Sequence, residues 1–243
     1  MTTKPNVALV AGVGEGLGGA IARRFARGGH PTVLVARSAD RLARIAAGIE
    51  AEGGRGVAYA ADLREESAVA KLFDDVEAEI GPIDVAVFNT GANYRASILD
   101  TPADMFEKVW RLGCYAGFLV GREAARHMVP RGQGTIIFTG ATASLRGSAQ
   151  FAAFAAAKGG VRQVAQAMAR ELGLQGIHVA SVIIDGMIDS PRVRERFPER
   201  AAQLPPDGML KPDDIAETYW QLHQQPRDAW TFEVDLRPWA ERF

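Results

Sequence analysis

The sequence predicts an α/β fold in which helices cover both faces of a parallel sheet. Short apolar runs alternate with longer segments of helical periodicity along the chain. The apolar runs are rich in β-branched residues on both faces, which is typical of strands buried in a parallel sheet. Alternation of this kind builds right-handed strand–helix–strand units, so we expect one doubly wound sheet of about seven strands.

The predicted strands and helices follow in a regular order, except for one segment near the C-terminus. Residues 185–211 are rich in Pro, Arg and Asp, and they predict an irregular loop with a short helix. A long insertion at the carboxyl end of a strand is typical of a lid over a ligand site. The predicted strands are 6–11, 32–36, 56–60, 84–88, 135–139, 177–184 and 230–236, and the predicted helices are 17–28, 39–52, 65–79, 102–129, 148–174 and 212–224.

Length and composition favour a single domain over residues 1–243. A chain of 243 residues with 47% hydrophobic residues can bury one sizeable core. The 28 basic and 29 acidic residues are interspersed, which argues against nucleic acid or an anionic membrane as a partner. The sequence has neither a signal-peptide pattern nor an apolar run of the roughly 20 residues that span a bilayer. The single cysteine, Cys114, excludes an internal disulfide, and we expect a cytoplasmic protein.

A glycine-rich turn follows the first predicted strand and opens the first predicted helix. The glycines are spaced G-x-x-x-G-x-G, from residue 12 to residue 18. Glycines at such a turn let the backbone approach a pyrophosphate, and the helix N-terminus supplies N–H groups and positive partial charge. This context favours a dinucleotide site over a merely tight turn. The residues expected at the cofactor here are Gly12, Gly14, Glu15, Gly16, Leu17 and Gly18.

The end of the second predicted strand indicates which dinucleotide is bound. Sites that prefer NAD often carry an acid there to hold the ribose hydroxyls, whereas this chain has Arg37 followed by Ser38. An arginine suits a 2′-phosphate by charge and hydrogen bonding, although it can also be an ordinary solvated residue. Glu15 argues against a phosphate if it points toward the same place. We predict NADP(H) over NAD(H).

Asp62 follows the third predicted strand, next to Leu63. Its carboxylate is placed to accept from the adenine amine of a bound dinucleotide. It is equally suited to cap the N-terminus of the helix predicted over 65–79. We expect both Asp62 and Leu63 at the cofactor.

Taken with these features, the chain resembles the short-chain dehydrogenase/reductase family from about residue 5 to residue 236. The matching pieces are the glycine-rich turn, Asp62, the turn 89-NTGA-92 and the strand–helix–strand block over 134–184. The resemblance implies a Rossmann-like single domain, a nicotinamide cofactor, a small-molecule substrate and a homodimer or homotetramer. We expect the subunits to meet through the helices predicted over 102–129 and 148–174.

The resemblance also places further residues at the cofactor. Asn89 and Gly91 match the family's turn that supports the central strands and lines the adenosine side, whereas a plain turn is the structural alternative. Where the family has Pro-Gly after the sixth strand, this chain has Asp185-Gly186. We expect Ile188, in the segment that follows, to contact the cofactor.

The chain departs from the family's pattern at the residues that carry the chemistry. The family's Lys, which binds the nicotinamide ribose and lowers the pKa of the catalytic Tyr, matches Lys158. The Tyr position four residues earlier holds Phe154, and the Ser position thirteen residues before that holds Ala141. Gly113 stands where the family has Asn, and the alternative Tyr position seven before the Lys holds Phe151. A snorkelling surface lysine is the structural alternative for Lys158.

Three explanations of these replacements remain open. The first is that another group supplies the proton. The second is that the substrate is an iminium or an activated C=C bond, which needs no strong acid. The third is that the protein binds the cofactor without catalysing a reaction. Phe151 and Phe154 would give an apolar wall to a substrate of the second kind. The candidate donors are Tyr94, Tyr115, Thr142, Ser144 and Asp185. The structural alternative is packing for Tyr115 and capping for Thr142, Ser144 and Asp185.

The hypothesis favoured by the sequence is an NADP(H)-dependent oxidoreductase that acts on a small apolar substrate by a non-standard proton route. The alternative is a non-catalytic dinucleotide-binding or scaffold protein. No metal is expected, because no histidine has a second ligand at metal-binding spacing. The expected catalytic residues are Lys158 and Asp185, and the expected substrate pocket is lined by Ala141, Phe151, Phe154 and Met187.

Overall fold

A computed structural model describes residues 4–242, without the side chain of Arg192; residues 1–3 and 243 of the predicted domain lie outside the described part. The strands are β1 (Val7–Ala11), β2 (Thr32–Ala36), β3 (Gly56–Ala60), β4 (Ile83–Phe88), β5 (Gly134–Thr139), β6 (Ile177–Ile184) and β7 (Glu233–Leu236). The helices are α1 (Leu17–Arg27), α2 (Ala39–Ala51), α3 (Glu66–Glu79), α4 (Ala103–Trp110), α5 (Ala116–Met128), α6 (Ala152–Leu172), α7 (Pro191–Arg196), α8 (Pro198–Gln203) and α9 (Pro212–His223).

The strands form one parallel sheet in the order β3-β2-β1-β4-β5-β6-β7. The chain winds outward from β1 to β3, then returns to the other side of β1 and continues from β4 to β7. The predicted doubly wound, Rossmann-like α/β fold is therefore confirmed. The strand order reverses between β1 and β4, and a crevice at the carboxyl ends of these strands is the ligand position that this topology favours.

Two hydrophobic clusters hold helices against the two faces of the sheet. Helices α3, α5 and α6 pack on one face, and α1, α2 and α9 pack on the other. Strands β1 and β6 are buried along their whole length, as expected. The edge strands β3 and β7 are only partly buried, so the prediction of burial on both faces is wrong for them. An edge strand has a neighbour on one side alone, and the helices cover it less.

Several predicted boundaries need correction. The helix predicted over 102–129 is interrupted by a π-helical turn over Arg111–Tyr115, where Thr90 Oγ1 donates a hydrogen bond to the carbonyl of Leu112 at 2.7 Å. The helix predicted from residue 148 begins at Ala152, after a turn in which Gln150 has a φ of 71°. The last strand begins at Glu233 rather than at residue 230. The spacing of apolar residues along the sequence does not predict any of these changes.

The segment after β6 contains two short helices, α7 and α8, where the sequence predicted one. Each begins with a proline, and Ser190 caps α7 by accepting from the Val193 amide at 3.3 Å. An isolated bridge joins Ile188 to Leu210, which draws the two ends of the segment together. Within the described residues no helix combines the length and the apolar character that crossing a membrane requires.

Candidate active site

The glycine-rich turn is tightly packed at two positions and less tightly packed at two others. Gly12 has a φ of +105°, and a Cβ there would lie 2.7 Å from Thr90 Cγ2. A Cβ on Gly18 would collide with the Gly12 carbonyl oxygen. A Cβ on Gly14, by contrast, would meet nothing within 4 Å, and a Cβ on Gly16 would make an ordinary van der Waals contact with Ser190 Cβ at 3.6 Å. The turn therefore holds its shape through Gly12 and Gly18, leaves free space over Gly14, and is covered by Ser190 at Gly16.

Asn89 fastens this turn to the centre of the sheet. Its Nδ2 donates to the Gly12 carbonyl at 3.1 Å, and its backbone N–H donates to the Ala11 carbonyl at 2.7 Å. Gly91, two residues on, is exposed, and a Cβ there would lie 3.0 Å from Cε of Lys158. The turn after β4 thus supports the glycine loop on one side and makes room for the lysine on the other.

Lys158 is buried beneath the site, with 5% of its surface exposed. Its Nζ donates to the carbonyl of Thr139 at 2.7 Å and to the carbonyl of Thr90 at 3.0 Å. Burial lowers the pKa of this amine to about 8, because a charged group is disfavoured away from water. The alternative of a snorkelling surface lysine is wrong, since the amine itself lies in the interior.

The two phenylalanines stand at the start of α6. Phe154 is half-buried, and its Cε2 lies 3.9 Å from the position of a Cβ on Gly91, beside the Lys158 amine. Phe151 immediately precedes the helix, and the Arg95 guanidinium lies 6.0 Å from its ring centre. Phe154 thus lies beside the lysine, and Phe151 has a cation near its ring.

A hydroxyl and a carboxylate meet next to Ala141, the vacant serine position. Asp185, at the end of β6, is 3% exposed and accepts a hydrogen bond from Thr142 Oγ1. Arg146 Nη2 lies 3.9 Å from Asp185 Oδ1. Ser144 is a capping residue, because its Oγ accepts from the Ala141 amide at 3.0 Å. Of the hydroxyls in this loop, that of Thr142 faces the buried acid.

The two candidate tyrosines have packing roles. Tyr115 stacks on Trp110 with ring centres 6.1 Å apart, and the Arg111 guanidinium lies 5.1 Å from its ring centre. Tyr94 packs against a small apolar cluster that includes Val109. Packing of this kind is the ordinary use of a partly buried tyrosine.

Asp62, the acid expected near the adenosine, is held in an ion pair with Arg64. Arg64 holds Asp62 with Nε 2.9 Å from Oδ1, and this hydrogen bonding, assisted by the charge of Arg37, lowers the pKa of Asp62 to about 2. The N-cap position of α3 is Glu65, whose side chain makes no capping hydrogen bond, so the helix-cap alternative for Asp62 is wrong. Asp62 instead accepts from the Arg64 amide, two residues on, at 3.1 Å.

Glu15 points toward helix α2, where Arg44 Nη2 lies 3.9 Å from its Oε1. Arg37 is exposed at the end of β2. Four further expected residues are placed as follows: the side chains of Leu17 and Leu63 are buried in the core, Ile188 packs against the core, and the Met187 carbonyl accepts from the Leu210 amide at 2.9 Å.

Comparison with known proteins identifies the family. Residues 6–201 match the family model described as short chain dehydrogenase. The chain belongs to the short-chain dehydrogenase/reductase family. It is 35% identical over 189 residues to a short-chain dehydrogenase/reductase of Armillaria gallica, covering 76% of this chain and 72% of that one.

Two solved structures of the family are similar along nearly the whole chain. A short-chain dehydrogenase from Rhodopseudomonas palustris is 45% identical, with a TM-score of 0.83, and the match covers 96% of this chain and 99% of that one. A metagenomic short-chain oxidoreductase solved in complex with NADP is 27% identical, with a TM-score of 0.81 and 96% of both chains covered. Membership of this oxidoreductase family is therefore shown by sequence and by structure.

The position of the family's asparagine is closed by backbone packing. A Cβ on Gly113 would lie 2.9 Å from the Ala157 Cβ, so the π-helical turn approaches α6 more closely than a side chain at residue 113 permits. Similarly, a Cβ on Gly160 would lie 2.6 Å from Cys114 Sγ. The asparagine is thus absent together with the space that its side chain would need.

The residues present fit a nicotinamide dinucleotide of the kind that short-chain dehydrogenases/reductases use. The open space over Gly14 is one that a side chain would fill, and it lies beside the N-terminus of α1. Lys158 has three donors, of which the Thr90 and Thr139 carbonyls use two, so one is left for a ribose hydroxyl.

Sequence reasoning missed Arg146 as a partner of Asp185. It also missed Ser190 as the residue that lies over Gly16. Both contacts join loops from different strands, and no local spacing predicts them.

Proposed function

We propose that the protein is an NADP(H)-dependent oxidoreductase that exchanges a hydride with a small apolar substrate and moves the proton through Thr142 and Asp185. The hydroxyl of Thr142, which follows Ala141 in the chain, donates to the buried Asp185 carboxylate. A hydroxyl–acid pair therefore adjoins the position where the family has serine, although phenylalanine replaces the tyrosine.

The pair is suited to move a proton to and from a substrate oxygen. The bound nicotinamide would accept or supply the hydride. In alcohol oxidation, the Thr142 oxygen accepts the substrate hydroxyl proton and passes its own proton to Asp185, and reduction reverses this transfer. Arg146, 3.9 Å from the carboxylate, offsets the negative charge. Transfer by a positioned acid or base contributes about 10²–10⁴ in rate.

The substrate side supports a small apolar molecule. Phe151 and Phe154 present rings rather than hydroxyls, and we propose that they form a pocket wall with Ala141 and Met187. We further propose that residues 185–211 act as its lid, since Ser190 in this segment lies over Gly16. Iminium compounds, activated alkenes, ketones and their alcohols are the compounds to screen.

The basic surroundings of β2 support NADP(H) over NAD(H). Arg37 is exposed directly after β2, and a cation there suits a 2′-phosphate, while Arg44 offsets the charge of the Glu15 carboxylate. The NADP bound to the metagenomic relative supports the same choice. Calorimetric titration should give micromolar binding of NADPH, about tenfold or more weakened by Arg37→Ala. Arg55→Ala is the control, because Arg55 precedes the amino end of β3, whereas Arg37 follows the carboxyl end of the neighbouring strand β2. Absence of NADPH binding to the unaltered protein would overturn the proposed function.

The proton route is tested by turnover of a substrate found in the screen. Thr142→Val and Asp185→Asn should each lower kcat about a hundredfold or more, with the Kd for NADPH unchanged. Thr142→Ser keeps the hydroxyl and should retain most of the rate. Full activity in both Thr142→Val and Asp185→Asn would refute this route and leave the cofactor assignment standing.

Closure of the asparagine position favours a second candidate, a dinucleotide-binding protein without catalysis. Tight NADPH binding without turnover of any compound class would support this second candidate against the first.

A further inference from the structure

Three metal-binding side chains converge at the amino ends of the strands, on the edge of the sheet opposite the glycine loop. His30 lies just before β2, Asp84 is the second residue of β4, and His223 is the last residue of α9. One possible ligand atom from each residue lies within 4.8 Å of those of the other two. The sequence separates these residues widely, so the cluster exists only in the folded chain.

The distances within this cluster, which we call the His–Asp–His cluster, suit ligands of a common ion. The Nε2 atoms of His30 and His223 lie 3.7 Å and 3.5 Å from the same Asp84 carboxylate oxygen. Both separations exceed the roughly 2.7–3.2 Å of an ordinary N–H···O hydrogen bond. Two ligands of a tetrahedral zinc ion, with bonds of about 2.0–2.1 Å, lie about 3.3 Å apart. Small movements of the side chains would bring all three onto one ion.

The surroundings hold the two imidazoles in place. Nδ1 of His223 lies 3.0 Å from Thr135 Oγ1, a contact that orients the ring with Nε2 toward Asp84. The rings of Phe25 and Trp220 pack against His30, with centres 5.9 Å and 5.8 Å from it. His223 therefore has the hydrogen bond to its far nitrogen that metal-binding histidines commonly have, whereas Nδ1 of His30 is buried without a hydrogen-bond partner and that ring is held by aromatic packing.

One side of the cluster is open. A cavity of about 250 Å³ adjoins it, and Asp84, His223, His178, Asn6 and Thr135 are among the residues that line this cavity. An ion held by three protein ligands needs a fourth ligand, and the cavity provides space for water or a small anion.

We propose that His30, Asp84 and His223 form a site for one divalent transition-metal ion of the zinc class. Two imidazoles and one carboxylate suit Zn²⁺, Co²⁺ or Ni²⁺, whereas Mg²⁺ and Ca²⁺ prefer oxygen ligands. The ion joins the start of β2, the start of β4 and the end of α9. Because the folded chain alone assembles the three ligands, binding stabilises the fold.

The experiment uses the full-length chain without an affinity tag, stripped with a chelator and titrated with Co²⁺. We expect about one Co²⁺ per chain, seen as visible d–d absorption, and displacement of that absorption by Zn²⁺. Asp84→Asn and His223→Gln should each weaken binding about tenfold or more. His127→Gln is the matched control, because Nε2 of His127 also faces a carboxylate, that of Asp74 at 3.4 Å. This control should leave the affinity unchanged.

Thermal unfolding gives a second readout that does not depend on absorption. Zn²⁺ should raise the Tm of the unaltered chain and of His127→Gln, and should leave the Tm of Asp84→Asn unchanged. Asp84→Asn is nearly isosteric, so it keeps the test valid if His223→Gln fails to fold. Absence of Co²⁺ absorption in the unaltered chain, or equal binding by Asp84→Asn, overturns the site.

Discussion

A single buried amine carries the strongest electrostatic perturbation of the candidate site. Lys158 is held between the Thr90 and Thr139 carbonyls, and the protein contains no acid bonded to its amine within the described residues. Its charge is therefore supported by carbonyl dipoles alone. A bound dinucleotide would place a ribose hydroxyl at the remaining donor. The free-energy cost of burying the charged amine is therefore largest in the cofactor-free protein.

The pH dependence of stability follows from this burial. The pKa of Lys158 is about 8 when folded, against an ordinary value of 10.5. Below pH 8 the amine is protonated in both states and the folded state carries the full desolvation cost. Between pH 8 and pH 10.5 the amine is deprotonated in the folded state and still protonated in the unfolded state, so the desolvation cost of folding disappears as the pH rises. The free energy of unfolding should rise by up to about 3 kcal/mol across this window, relative to Lys158→Met.

Urea unfolding of the cofactor-free protein at a series of pH values measures this difference. Lys158→Met has no titrating amine and serves as the reference. Other groups that titrate in both proteins cancel in the comparison. A constant difference between the two proteins from pH 8 to 10.5 would contradict the prediction.

At the scale of elements, the distinctive feature is the close approach of the π-helical turn to α6. The approach depends on glycines whose missing side chains would otherwise separate the backbones, as at Gly113 against Ala157. Thr90, in the loop after β4, helps to hold the turn over Arg111–Tyr115 by donating a hydrogen bond to the Leu112 carbonyl. The spacing between the π-helical turn and α6 therefore determines whether residue 113 can carry an asparagine side chain.

Substitution at Gly113 tests this packing. Gly113→Ala should destabilise the protein by about 1–3 kcal/mol, because its Cβ would lie 2.9 Å from that of Ala157. Gly159→Ala is the control, since nothing lies within 4 Å of a Cβ there and alanine favours the helix by about 0.5–1 kcal/mol. Urea unfolding measures both. Similar free energies for the two variants would show that the helices adjust without cost.

At the scale of the whole molecule, the outer surface of α4 and α5 displays large apolar side chains. Phe106 and Trp110 are each 38% exposed, and Phe118 is 39% exposed. An apolar surface of this kind commonly marks a protein interface. We propose that it joins subunits of a homodimer or homotetramer, together with α6.

Sedimentation of Phe118→Glu tests the subunit interface. A buried charge in the interface should shift the protein toward a smaller species at micromolar concentration. Leu174→Glu changes a side chain that is 99% exposed beyond the end of α6, and it should leave the mass unchanged. An unaltered protein that sediments as a monomer would refute the proposal.

The sequence by itself determined the α/β fold, the glycine turn and the position of Lys158. Each of these depends on local information: apolar runs such as Ile177–Ile184 have strand length, and the glycines and the lysine are recognised by short spacings. The interruption at Arg111–Tyr115 escaped prediction because one π-helical turn barely alters apolar periodicity.

Tertiary structure alone decided which side chains meet. Thr142 reaches Asp185 because β5 and β6 are neighbours in parallel register, and their carboxyl ends place both loops at one edge. His30, Asp84 and His223 converge at the other edge because strand order brings the starts of β2 and β4 near the end of α9. Contacts across such separations depend on strand order and helix packing, whereas local periodicity determines only the elements that are packed.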